Sequence, residues 1–260
     1  FMYNSSHYVI YDGRNSDITN NIINVSSYST NNTHHIIRSY SNGDYVNTIE
    51  GNTINHDHHN YDRVQYAIWT QSNTIVRNNT INIDAIDHAI YVESNCIVEN
   101  NEMSGDYSDN VIHINGNDVS VYSNTINQTG VGSVIWFDSD NGIEIYNNTA
   151  NTTGAKFLSA TASEVSVHHN LIQTSSGRGI EIYNQSGGDI YNNTLISNSG
   201  DYGVYIHDLT ELPVRNNIIV GFQNGIRDDN DLANTNLRYN DMYDISGSQY
   251  LGTGLPVMIG

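Results

Sequence analysis

The sequence is poor in the residues that most often staple or punctuate a fold. Only two prolines, one cysteine and one lysine occur in 260 residues. Cys96 has no partner within the chain, so there is no internal disulfide framework and the redox compartment is not legible from it. No apolar run approaches the ~20 residues that a membrane-spanning helix requires. Hydrophobic residues make up 37%, too few for a thick compact core but enough for a thin repetitive one. Nine bases stand against 28 acids, a net charge of −19. A surface that tracks phosphates needs clustered Lys and Arg, so nucleic acid is not an expected partner. The acidity reads first as solubility in a salty or cation-rich setting. Its second reading is carboxylate clusters able to hold calcium.

What the chain has in excess is asparagine, with 40 residues. A doubled asparagine recurs inside apolar runs, as VRNNTIN from Val76, EIYNNTAN from Glu144, DIYNNTLI from Asp189 and PVRNNIIV from Pro213. Alignment on the second asparagine gives Asn21, Asn52, Asn79, Asn101, Asn124, Asn148, Asn170, Asn193, Asn217 and Asn240. Successive gaps are 31, 27, 22, 23, 24, 22, 23, 24 and 23 residues. A period near 23 residues, repeated this often, is the signature of a solenoid rather than of compact domains.

Other columns keep the same register. Three residues before each asparagine stand only aliphatic residues, from Ile18 and Ile49 to Val214 and Leu237, which marks an inward position. Two residues after it the chain is again apolar, from Ile23 to Met242. Ten to thirteen residues upstream lies a third alternating segment, such as Ile68-Trp69-Thr70, Ile112-His113-Ile114 and Ile180-Glu181-Ile182. Three short strands per repeat, with period-2 alternation and no helical period, predict an all-β parallel β-helix of about ten coils. At one strand spacing per coil the rod would be about 48 Å long. Stacked asparagines can bond one another through their amides, so the paired residue reads as an internal ladder rather than as chemistry. Asn also tolerates the left-handed backbone of a tight corner. Residues 1–260 form one expected domain, with coils over about 9–245 and a tail or new element over 246–260.

The 22–24 residue coils with an IYNNTI-like phrase resemble the right-handed parallel β-helix repeat of the pectin-lyase-like superfamily, over about Ile18 to Met242. That superfamily includes polysaccharide lyases, glycoside hydrolases, epimerases, phage tailspikes and surface proteins, so the resemblance implies a fold more than a function. It implies that the upstream strand belongs to the sheet whose outer face forms a substrate groove. The outward column there reads Trp69, Tyr91, His113, Trp136, Leu158, Glu181, Tyr205 and Arg227. The apolar neighbours of each residue make the same assignment from alternation alone. Aromatic faces stack on sugar rings and polar tips bond hydroxyls; the competing reading is that these rings only stack on one another. The two long repeats insert Ser26–His35 and His56–Gln65 at one corner, where loops build a binding wall beside Trp69 and Tyr91.

His56 and His58, in the HDHH run, are the candidate transition-metal ligands, although a solvated or sugar-contacting loop is the simpler reading. At the opposite corner Asp138, Asp140, Asp228, Asp229 and Asp231 are candidate calcium ligands or ordinary turn formers. A lyase must neutralise a uronate carboxylate, abstract the adjacent proton and protonate the leaving oxygen. Glu181, Tyr205 and Arg227, with Lys156 and Arg178 near, or His113 between Tyr91 and Trp136, could supply those groups. A strongly acidic chain repels an anionic polymer, and no paired-carboxylate signature of a hydrolase is recognised. The preferred expectation is therefore a secreted or cell-surface module, structural and/or binding a polysaccharide or glycan through Trp69, Tyr91, Trp136, Lys156 and Arg178, with a polysaccharide lyase as the first alternative and a glycoside hydrolase as the second. Export is inferred from the resemblance, since the chain begins mid-pattern with no visible signal peptide and reads as part of a longer protein. No capping pattern closes either end, so strand edges there would be covered by a further domain or by end-to-end or lateral contact with another copy.

Overall fold

A computed structural model describes residues 8–12, 16–26, 35–41, 45–57, 64–84, 86–107, 109–154, 156–162, 164–183, 187–207, 212–229 and 236–252. The chain winds through three parallel sheets, always in the same order. The first sheet has 11 strands and the second and third have 10 each among the described residues, and every strand pairs with its counterpart one coil away. Tyr250–Gly252 supplies the eleventh strand of the first sheet.

The aliphatic columns expected inside are inside. Ile49, Val76, Val98, Val121, Ile145, Val167, Ile190 and Val214 on the second sheet are wholly buried, and so are Ile54, Ile81, Met103 and Ile126 on the third. Each column rests on the pairing register, for example Val98 against Val76 and Val121. A one-residue slip would turn a whole column to solvent, so the alternation fixes the register strongly.

The corner between second and third strands explains the doubled asparagine. Asn79 donates its side-chain amide to Asn101 Oδ1 at 3.0 Å and to Ile49 O at 2.9 Å. The same side-chain link joins every neighbour from Asn21 to Asn240. The residue before each rung has a left-handed backbone, including Asn78 (φ 54°), Asn100 (φ 54°), Asn147 (φ 55°) and Asn192 (φ 56°). The pair therefore divides the work. The first asparagine turns the corner and the second forms the ladder.

Candidate functional site

The first sheet presents the expected outward row, with one correction. Its register runs Arg38, Trp69, Tyr91, His113, Trp136, Ser159, Glu181, Tyr205, Arg227. Leu158, expected in this row, instead pairs with Ile135 and Ile180 and is wholly buried in the core. The physical reason is alternation: Leu158 continues the internal apolar column, so the next residue must face out. The row is also less exposed than expected. Tyr91 and Tyr205 are nearly buried by their neighbours, and Trp69, His113 and Trp136 are half-buried.

The row divides at Ser159. Its first part is aromatic and continuous. Trp69 and Tyr91 stack at 5.7 Å and 7°, Tyr91 and His113 lie 4.9 Å apart, and His113 meets Trp136 edge-on at 4.5 Å. The Arg38 guanidinium caps this run at 4.5 Å from the Trp69 ring. A flanking rank of His35, Tyr66 and His88 stacks at 5.0 Å per step. Asn115 holds the Tyr91 hydroxyl at 2.5 Å. Burial, with the charge of His88 adding to it, lowers the His113 pKa to about 4, so the imidazole is neutral at pH 7.

The second part is a charged cluster. Glu181, expected as an accessible acid or base, is 0% exposed. Its carboxylate is ion-paired to Lys156 and Arg178, accepts the Tyr183 hydroxyl at 2.8 Å and lies 3.2 Å from His207 Nε2. Burial raises its pKa, but Lys156, Tyr183 and His207 more than offset this, so it is held below the usual carboxylate range. Glu181 anchors the groups around it. Tyr205 donates its hydroxyl to Asp229 Oδ2 at 2.5 Å, and burial together with that carboxylate pushes the phenol up to about 12. Arg227 bonds Asp229 Oδ1 at 2.7 Å and the Tyr202 hydroxyl at 2.6 Å. His207 lies between the Tyr183 and Tyr205 rings, 4.0 and 3.6 Å from their centroids.

Among the described residues the metal candidates do not assemble into a cluster. Asp228 is 2% exposed and continues an internal column with Ile206, while Asp229 faces out, so consecutive strand residues point to opposite sides. Asp138 lies on the Trp136 strand, four coils or about 19 Å from the Arg227 strand, and cannot join Asp229. For Asp140 only the backbone is described, and Asp231 and His58 lie outside the described residues. His56 is buried in a column with Ile83, facing inward rather than toward a surface loop. No cluster of metal-ligating side chains occurs among the described residues. Most of the two expected binding-wall insertions also lies outside them, at 27–34 and 58–63.

Tyr183, His88 and Asp109 were missed. Tyr183 stands two residues after Glu181 on the same strand face, a period-2 signal that was available. The second sheet carries a further outward row, Tyr122, Tyr146, His168 and Tyr191, stacked at 4.7, 5.1 and 4.7 Å and ended by Arg215. Its signal was the residue before the NN pair in the repeat phrase itself. These rings are within 20° of parallel and cover one another's faces, which fits a stabilising stack.

Residues 109–255, more than half of the 260, match the family described as right handed beta helix region. The chain belongs to that right-handed β-helix family. None of the curated proteins matches it. Among solved structures, the A-module of the Azotobacter vinelandii mannuronan C-5 epimerase AlgE4 aligns over 92% of this β-helix and 90% of its own chain, at 12% identity and a TM-score of 0.21. The fold of this β-helix rests on its own three sheets and on the family match.

Proposed function

We propose that the protein is a secreted or cell-surface β-helix that binds a glycan chain along the outer face of its first sheet. The observation that carries this is the in-register row Trp69, Tyr91, His113 and Trp136 on four successive coils, in which Trp69, His113 and Trp136 offer aromatic surface and polar ring edges around the nearly buried Tyr91. One coil advances about 4.8 Å, close to the length of one pyranose unit in an extended chain, so successive coils can meet successive sugars. Half-buried rings held by their neighbours lose little freedom on binding, which favours affinity. A panel of neutral and acidic polysaccharides, scored for retention by the intact chain, tests the proposal. Retention that weakens on Trp69→Ala supports it, and a chain that retains none of them contradicts it.

The second reading is catalysis on an acidic polysaccharide, favoured by the Tyr205, His207, Arg227 and Asp229 cluster. With its phenol pushed up to about 12, Tyr205 would act there as a proton donor to a leaving oxygen rather than as a base. Arg227 would face a substrate carboxylate. Glu181 is wholly buried and ion-paired, so it supports this cluster and is not one of two carboxylates across a groove. Release of unsaturated products from uronate polymers, with and without calcium and lost in Tyr205→Phe, would establish this reading over simple binding.

A further inference from the structure

The outward row is interrupted at Ser159, a small side chain between Trp136 and Glu181. The interruption opens a cavity of about 490 Å³. That is the size range of small-molecule sites. Its lining includes Asp109, Asn110, His113, Trp136, Lys156 and Ser159. One flank of Trp136 is met by His113 at 4.5 Å, and the neighbour on the next coil is only the serine. Indole surface is therefore open toward the gap. Asp109 is held at the cavity by the Asn110 amide, 2.7 Å from its Oδ1, and Asn110 is itself fixed by the Ser133 backbone N–H at 3.2 Å.

The charges of the walls decide what fits. Lys156 is paired with the buried Glu181, so its charge is largely compensated. Arg178 is shared between the same Glu181 and Asp201, 3.8 Å away. His88 Nε2 lies 3.5 Å from Asp109 Oδ2, but burial lowers the His88 pKa against the pull of that carboxylate. His113, with a pKa of about 4, is neutral. At pH 7 the cavity thus holds one carboxylate, Asp109, without an equivalent cation. An acidic sugar entering it would meet that charge, whereas a carboxylate is a strong acceptor for the paired hydroxyls of a neutral ring.

We propose that this cavity is a subsite for one neutral pyranose unit of a glycan, stacked on Trp136 with vicinal hydroxyls on Asp109 and on the Ser159 and Lys156 tips. The proposal rests on the reading of the first-sheet face as a glycan-binding surface and adds the class of sugar that one coil selects.

The test uses the full chain and measures titration of neutral gluco-, manno- and galacto-oligosaccharides against hexuronate oligomers. Calorimetry reports binding in the native chain and in both variants alike. Ser159→Trp fills the gap and removes the serine hydroxyl from its lining, and Asp109→Asn removes the carboxylate at a largely exposed position. The expected result is that a neutral oligomer binds, loses at least tenfold in affinity in each variant, and that Asp109→Asn narrows the preference over hexuronate. Neutral binding unchanged in both variants overturns the subsite while leaving the glycan-binding face intact. Hexuronate bound more tightly than any neutral oligomer, and lost in Ser159→Trp, overturns the sugar class alone. Absence of all binding overturns both readings.

Discussion

Asn79 and Asn101 are joined twice: the backbone N–H and the side-chain amide of Asn79 both donate to Asn101 Oδ1, each at 3.0 Å. Repeated along the rod, this relationship ties each coil to the next by side chain as well as by sheet. Asn101→Ala would strip two donors of their acceptor at a buried corner and leave Asn124 Oδ1 with one of its two donors, the backbone N–H of residue 101. A buried unpaired polar group costs about 1–3 kcal/mol, so a loss of about 3 kcal/mol is expected in denaturant unfolding. Asn100, one residue earlier, is exposed with φ 54°. Asn100→Ala should cost about 1 kcal/mol through backbone strain, and Asn100→Gly almost nothing.

Glu181→Gln should destabilise the protein by about 2 kcal/mol, because Lys156, Arg178 and His207 lose their common anion. The figure lies below the 3–5 kcal/mol of a fully buried broken pair, since Lys156 and Arg178 reach solvent. The carboxylate is held below its usual range, so its contribution is present above the ordinary carboxylate pKa and lost as pH falls through the folded value. Thermal melts should therefore show the gap between native and Glu181→Gln proteins closing below about pH 4.

His113 gives linkage of the same sign as Glu181, at higher pH. Its folded pKa is about 4, below the unfolded value near 6.5 for imidazole, so the unfolded chain binds a proton first on acidification. Stability should fall as pH drops from about 6.5 toward 4, a window above that of the carboxylates. Because His113 is only half-buried, the effect is discounted to on the order of 1 kcal/mol. His113→Phe should flatten this window in unfolding measured at pH 6.5 and 4.5; an unchanged slope would refute the assignment.

Tyr205 provides a spectroscopic check on the charged cluster. Its phenol is raised to about 12 by burial and by the Asp229 carboxylate. Asp229→Asn should bring that ionisation back toward 10 in an ultraviolet pH titration, while Tyr205→Phe removes it.

The repeat made the solenoid, the ladder and the outward row legible, because each depends on a column that recurs in every coil. What did not recur was hidden. Leu158 and Ser159 are exchanged in the row because two adjacent residues of one coil are compatible with either register until strand pairing is known. The burial of Glu181 follows from Lys156 and His207 converging from the coils on either side onto a carboxylate already met by Arg178 and Tyr183 of its own coil, which no single strand encodes. Asp228 and Asp229 looked like a metal pair in the sequence, although strand alternation separates them.

The central claim is that the first-sheet face binds a glycan, and site-specific loss of binding tests it most directly. Affinity for the best-retained oligosaccharide should be measured by calorimetry in Trp69→Ala, Tyr91→Ala and Trp136→Ala, with Tyr146→Ala on the second sheet as control. The account predicts at least tenfold weakening in the Trp136 variant, smaller losses in the other two, and no change in the control. Equal affinity in all four, or a loss confined to Tyr146→Ala, would contradict it.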